Sequence, residues 1–502
     1  MLFHEQVFLF LFLPTALVGV LVLRRLSPKS ALVWATLCSV FFYGFHGWEH
    51  VPLLLGSVVL NYLLGRSIEN RRSGREGRTL LIAGIALNLL LLGIFKYADL
   101  LLATFSELTD GPALRSGIAL PLAISFFTFQ QIAYLVDLRK GKFSSPTFGR
   151  YCLFVTFFPQ LIAGPIVRYQ KILPQIVDGA LGRLSRASAW TGLCLFSIGL
   201  FKKTCLADGI RPLADGIFAA ARDGTTLSFA EAWAGATAFG LQIYFDFSAY
   251  SEMAIGLGLL FGLRLPLNFD SPYKALSFID FWRRWHVTLS EFLRDYLYKP
   301  LGGNRAGVSQ GMVNVFIVMA LGGLWHGASW TFVAWGLCHG VLIASNHLLR
   351  AWENARFAEL SNSLAGVCFR RLVTFACITL TWTFFRSPEF EQAFSLISSM
   401  LGLNGMDLPR FLGPPDAEGY LRFGGLLPNK VTDLGLLPFL LLLLALVAKL
   451  PNAMELVALD RDENQRIDMP TAKVVFLCGI LFFFGLKVSF EAISHDFLYF
   501  RF

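Results

Sequence analysis

The sequence predicts an all-α, polytopic membrane protein, and three observations carry that expectation. Hydrophobic residues make up 55% of the 502 positions, with 49 phenylalanines and a mean hydropathy of +0.58. Charged residues are only 15%, against about 25% in ordinary soluble domains. The apolar residues fall in runs long enough to cross a bilayer, which takes about 20 residues of helix. Such runs lie near 7–23, 31–47, 51–65, 79–97, 118–137, 189–207, 229–250, 365–385, 433–449 and 470–488. With shorter apolar pieces they give an expected total of about 11–13 embedded helices.

The first run precedes Arg24, Arg25 and Lys29 rather than following them, the reverse of a cleaved signal peptide. It reads as a retained first helix with its N-terminus outside. Basic loops then set the topology, since cytoplasmic loops carry the excess of Lys and Arg. Residues 66–78 hold five arginines and read as inside, and residues 96–115, of balanced charge, as an outside loop. Residues 139–142 (RKGK) are inside again, as are 264–305, Arg370 and Arg371, and 450–468. The long loop 386–432 and the C-terminal tail fall outside. The net charge of +9 is therefore read as a topology signal. No zinc-finger, Walker or G-x-G-x-x-G pattern occurs, so nucleic acid is not an expected partner. The eight cysteines lie mostly in apolar segments without a C-x-x-C and read as small buried hydrophobes.

Three segments depart from simple spans. Residues 151–165 end in FPQLIAGPIVRY and are too short and too broken by Pro and Gly to cross; such backbone is tolerated where protein shields it. Residues 312–325 and 329–349 form either two spans or a re-entrant hairpin. Residues 279–305 carry Phe281, Trp285, Leu289, Phe292 and Tyr296 at spacings of three and four. That stripe predicts an amphipathic helix at the cytoplasmic interface, ending in a KPLGGNR turn.

Histidines are the candidates for chemistry. Between Ala306 and Leu349 there is no formal charge, yet His326 stands in GGLWHGASW, flanked by Trp325 and Trp330. A neutral imidazole there has two uses. It either bonds neighbouring helices together or removes a proton from a hydroxyl attacking an acyl carbonyl. His286, on the amphipathic segment, is positioned to hold a tautomer or stabilise an oxyanion. His339, 13 residues beyond His326, faces another side of a continuous helix and reads as packing, and His347 as interfacial. There is no H-E-x-x-H and no acidic residue near these histidines in sequence, so no metal site is expected. Asp246 and Glu252 lie inside an apolar run, where a carboxylate is paired or functional; pairing with a cationic or hydroxyl neighbour is the simpler reading for Asp246. Gln130 and Gln131 read as interhelical hydrogen-bond donors.

FPQLIAGPIVRY, FDFSAYSEMAIGLG, FWRRWHVTLSEFLRDYLYKPLGGNR and GGLWHGASWTFVAWGLCHG together resemble the membrane-bound O-acyltransferase (MBOAT) superfamily, and its bacterial alginate O-acetyltransferase branch most closely. The resemblance runs from the N-terminus through residue 350. It implies one membrane domain over 1–502: N-terminal helices (1–150), a core (151–350), C-terminal helices (351–488) and an outer-face aromatic tail (489–502). It implies a ring of helices around funnel-like cavities in the bacterial inner membrane, with both termini periplasmic. The family's catalytic histidine carries over to His326 and its second polar position to His286. The implied reaction moves acetyl from a cytoplasmic thioester, acetyl-CoA, toward an exported polysaccharide, with periplasmic acetyltransferase proteins as partners. Arg283, Arg284, Lys299 and Arg305 either meet the phosphates of coenzyme A or mark topology and lipid headgroups. The tail DFLYFRF is either an aromatic belt or a carrier in which Tyr499 accepts the acyl group. It resembles the Tyr-containing motif of the miniprotein beside teichoic-acid D-alanylating members. A conduit without covalent chemistry and a scaffold for periplasmic proteins are the competing classes, and alginate, cellulose, another exopolysaccharide and peptidoglycan the candidate acceptors.

Overall fold

A computed structural model describes residues 1–305, 307–351, 363–406, 436–460, 467–491 and 497–498, with side chains at nearly all of them. Among the described residues all regular structure is helical. Among the described residues six helices are long and apolar enough to cross a membrane: Val7–Leu26, Trp48–Asn70, Arg75–Leu108, Val308–His326, Leu364–Arg386 and Ala472–Glu491. The chain is a multi-pass membrane protein. It divides into two compact units. One comprises Met1–Gly199, Tyr250–Leu267 and Ala453–Ile480; the other Leu200–Ala249, Asn268–Asn452 and Leu481–Phe502.

The first unit is held by rings and amides. Phe3, Phe8, Phe12, Phe42 and Phe158 interlock, with Phe12 edge-on to Phe158 at 5.2 Å. Asn61 and Asn88 exchange two amide hydrogen bonds of 3.2 and 2.7 Å between Val51–Asn70 and Arg75–Leu92. Tyr151 donates to Gln131, and Gln131 donates to Ser57. Away from water each such bond replaces an unsatisfied amide, so the network fixes the register of four helices at no cost in charge. The segment around 151–165 is wholly buried, as short helices Phe148–Thr156 and Phe158–Leu161. Ser39 accepts the Phe158 N–H, which satisfies part of the backbone that the break exposes.

Two sequence expectations are corrected here. Residues 96–115 do not leave the helix as a loop at Lys96: the helix continues to Leu108. Leu100–Leu102, Phe105 and Leu108 keep the apolar pattern going past Asp99, and that pattern outweighs the charges. Likewise the run at 189–207 continues through Asp208–Arg222. In both helices a wider π-helical stretch, Gly93–Tyr97 and Lys202–Ala207, carries a buried lysine, Lys96 or Lys203.

In the second unit, Val308–His326 and Trp330–Ala351 form an antiparallel hairpin closed by three residues. Gly323 and Gly336 make it tight. A Cβ on Gly323 would strike the Phe332 carbonyl, and one on Gly336 the Met319 carbonyl. Gly323 and Gly336 thus serve close helix approach. Trp285, Trp335, Trp382, Phe239 and Phe385 fill the core beside this hairpin.

Candidate active site

The predicted single amphipathic helix over 279–305 is broken. Phe278–Trp282 is one turn and a half, and Val287–Leu293 starts afresh and widens into Arg294–Tyr298. The break falls at His286, whose φ of 42° and ψ of 54° put a non-glycine residue in the left-handed region. Such a conformation costs about 1–3 kcal/mol and persists only where the surroundings hold it. The apolar stripe explains why they do: Phe281, Trp285, Leu289 and Phe292 are all buried, and a regular helix would not turn the His286 ring inward with them.

His286 is fully buried and His326 is 4% exposed. Their ring centres are 6.3 Å apart. One bound group at about 3 Å from a nitrogen of each ring would engage both. Aromatic rings wall the pair. Trp325, Trp335 and Phe385 surround His326 at 5.0, 5.1 and 5.4 Å, and Phe247 lies edge-on to His286 at 4.8 Å. His326 is the last residue of its helix, ahead of an extended Gly327. His286 lies outside the membrane-crossing helices, and burial pushes its pKa down to about 3, so the ring is neutral at every physiological pH. Its Nδ1 sits 3.0 Å from Asn268 Oδ1.

Arg386, Asp215 and Asn268, not singled out in the sequence, and His339 shape this wall. Arg386 pairs with Asp215, which also binds Arg211 at 3.0 Å, and Arg386 lies over Phe239 at 5.6 Å. That anchors the helix end carrying Phe385. His339 accepts a hydrogen bond from Trp282 Nε1 at its Nδ1 (3.2 Å), and its Nε2 sits 3.1 Å from Thr381 Oγ1. Both of its ring nitrogens are used in holding helices together, as the packing reading expects. Asn268 carries no motif in sequence beyond its place 18 positions before His286.

Asp246 does pair with a cation. Lys203 Nζ reaches Asp246 at 2.8 Å and Asp208 at 2.9 Å, and Lys203 is 1% exposed. The other Asp246 oxygen accepts the backbone N–H of Leu498 at 2.8 Å, and Lys203 Nζ lies 4.7 Å from the centre of the Phe497 ring. Tyr499, the next residue, lies outside the described residues. Of the four basic candidates for phosphate, Arg284 is paired with Asp280 and Asp270 and Lys299 with Asp295, while Arg283 and Arg305 are exposed. Among the described residues no cluster of three His, Cys, Asp or Glu stands close enough to hold a metal.

His286 and His326 thus stand as a buried pair in a helical membrane protein. The family model described as MBOAT, membrane-bound O-acyltransferase family, matches residues 136–385. The chain is 42% identical to a peptidoglycan O-acetyltransferase of Helicobacter pylori, over 81% of each chain. It is 37% identical to a probable alginate O-acetylase of Pseudomonas aeruginosa, covering 81% of this chain and 76% of that one. A teichoic acid D-alanyltransferase of Bacillus subtilis is 25% identical over 54% of this chain and 70% of its own. The protein belongs to the membrane-bound O-acyltransferase family and is an acyltransferase enzyme.

Proposed function

We propose that the protein takes acetyl from acetyl-CoA on the cytoplasmic side of the bacterial inner membrane and delivers it for O-acetylation of an exported glycan. The observation that carries this reading is the His286–His326 pair, buried and 6.3 Å apart inside an aromatic wall. An acceptor hydroxyl attacks the thioester carbonyl, and its proton passes to imidazole. The tetrahedral intermediate collapses, the C–S bond breaks, and the thiolate of coenzyme A takes that proton. A dry site strengthens each hydrogen bond to the developing oxyanion. The exposed Arg283 and Arg305 are the groups we assign to the phosphates of coenzyme A. The activities named for the relatives at 42% and 37% identity support acetyl as the acyl group.

In this proposal Tyr499 is the first acceptor. Its phenolic oxygen takes acetyl as an ester and releases coenzyme A. A glycan hydroxyl, with a periplasmic partner protein, then displaces the tyrosine and regenerates its hydroxyl. Support comes from the two residues before it: Leu498 is tied to Asp246 and Phe497 is packed at Lys203, so the chain end is tethered beside a buried ion pair. For the glycan, an alginate-like exopolysaccharide is the first reading. Peptidoglycan is the second, favoured by the 42% identical relative that acts on it. Alkali-released acetate, measured on both purified fractions from a strain lacking the gene, tests the proposal. We expect acetate to fall in one fraction and to return with the wild-type gene but not with His326→Ala. Unchanged acetate in both would overturn it.

A further inference from the structure

His286 and His339 are both fully buried, and their hydrogen bonds fix opposite tautomers. At His339 the Trp282 N–H can only donate, so Nδ1 carries the lone pair. Thr381 Oγ1 already donates to the Ile378 carbonyl at 2.7 Å, so Nε2 of His339 carries the proton and donates to Thr381. At His286 the logic reverses. Asn268 Oδ1, 3.0 Å from His286 Nδ1, faces the Thr288 N–H at 3.4 Å and the Thr288 hydroxyl at 2.8 Å. An amide N–H can only donate, so the Asn268 atom turned to these groups is its oxygen. The proton between Asn268 and His286 therefore belongs to Nδ1, and Nε2 is the basic nitrogen.

Backbone contacts hold the arrangement in place. The Asn268 carbonyl accepts the Val287 N–H at 2.9 Å, and the Asp270 N–H donates to the Arg284 carbonyl at 2.9 Å. These two bonds bracket the turn in which His286 adopts its left-handed conformation. Asn268 is itself fully buried.

We propose that Asn268, braced by Thr288, is a positioning residue that locks His286 in the Nδ1–H tautomer and presents Nε2 as the proton acceptor of the acyl-transfer site. Asn268 touches no reacting atom. It acts on His286 as an orienting side chain acts on the base of a hydrolytic triad. Because Asn is neutral, it orients the ring while raising its affinity for a proton far less than a carboxylate would. The assignment of the reacting site rests on the proposed function; the tautomer does not.

The test is nitrogen NMR of the full chain in detergent with ¹⁵N-labelled histidine, the His286 signals identified by their loss in His286→Gln. We expect a pyrrole-type Nδ1 and a pyridine-type Nε2. Asn268→Ala should mix the tautomers and lower glycan acetylation by about 10–100-fold at equal protein level. Asn268→Asp keeps the acceptor but adds a charge. It should retain the tautomer, restore part of the activity and bring an acid limb into the pH profile at least about one unit above any seen in wild type. A pyridine-type Nδ1 in the wild type would overturn the proposal, as would Asn268 variants with unaltered spectra. A single tautomer in a protein whose His286→Gln variant acetylates normally would keep the orienting role and remove the reaction from the site.

Discussion

The second unit buries polarity in two regions built on opposite terms. Around Lys203 it buries full charges: one ammonium between two carboxylates, with the chain end tied to one of them. Around His286 and His326 it buries imidazole rings against tryptophan and phenylalanine, with a neutral amide as orienter. A buried ion pair is rigid, because separating it strands a charge, and so it suits an anchor. A neutral imidazole loses little on burial and still takes up and gives back a proton, and so it suits a reaction. The difference teaches where to look for function in such a chain: at the group that stays uncharged and reversible, while the strong charges hold the parts still.

Breaking the charged region should have the largest effect on stability. Lys203→Met leaves Asp246 and Asp208 without their ammonium and should cost about 3–5 kcal/mol, read as a fall in the midpoint of thermal unfolding in detergent. The double change Lys203→Met with Asp246→Leu should recover most of that loss while leaving the Leu498 N–H unpaired. Susceptibility of the C-terminus to carboxypeptidase should then stay raised. If the single and double variants are equally stable, the anchor reading fails. His339→Ala sharpens the contrast from the neutral side. It strands the Trp282 N–H and should cost about 1–3 kcal/mol, with acyl transfer by the surviving folded protein within about tenfold of wild type. Gly323→Ala drives a methyl into the Phe332 carbonyl and should cost about 1–3 kcal/mol.

The pH dependence separates the regions too. The folded-state pKa of His286 is depressed to about 3, below about 6.5 in an unfolded chain. Its contribution to stability is therefore full above pH 6.5 and declines as pH falls from there toward 3, because only the unfolded chain takes up the proton in that window. His286→Gln should flatten that part of the stability profile. The smallest effect is expected at the rim: Arg283→Ala with Arg305→Ala should raise the KM for acetyl-CoA a few-fold and leave kcat unchanged, as loss of exposed charge contacts does.

Much of this was legible in the sequence because hydropathy and histidine rarity are local signals. The apolar runs located the helices, the uncharged stretch after Ala306 located His326, and a carboxylate inside an apolar run announced that Asp246 has a partner. What the sequence hid is relational. Nothing within a turn of Asp246 names Lys203, 43 residues away, and nothing near His286 names Asn268. The break at His286 was hidden for a further reason: the stripe from Phe281 to Tyr296 fits a continuous helix, and only the contacts that hold the left-handed turn show otherwise. The extension of the helix to Leu108 was masked by Lys96 and Asp99, whose charges imitate a loop.

The central claim is that acyl chemistry happens at the buried histidine pair. Membranes holding the wild-type protein, His326→Ala or Tyr499→Phe at equal abundance are incubated with isotopically labelled acetyl-CoA, and the chain and its glycan fraction are analysed by mass spectrometry. The account predicts label on the wild-type chain at Tyr499 and on the glycan, and neither with His326→Ala. Label reaching the glycan at the wild-type rate in the His326→Ala membranes would contradict it.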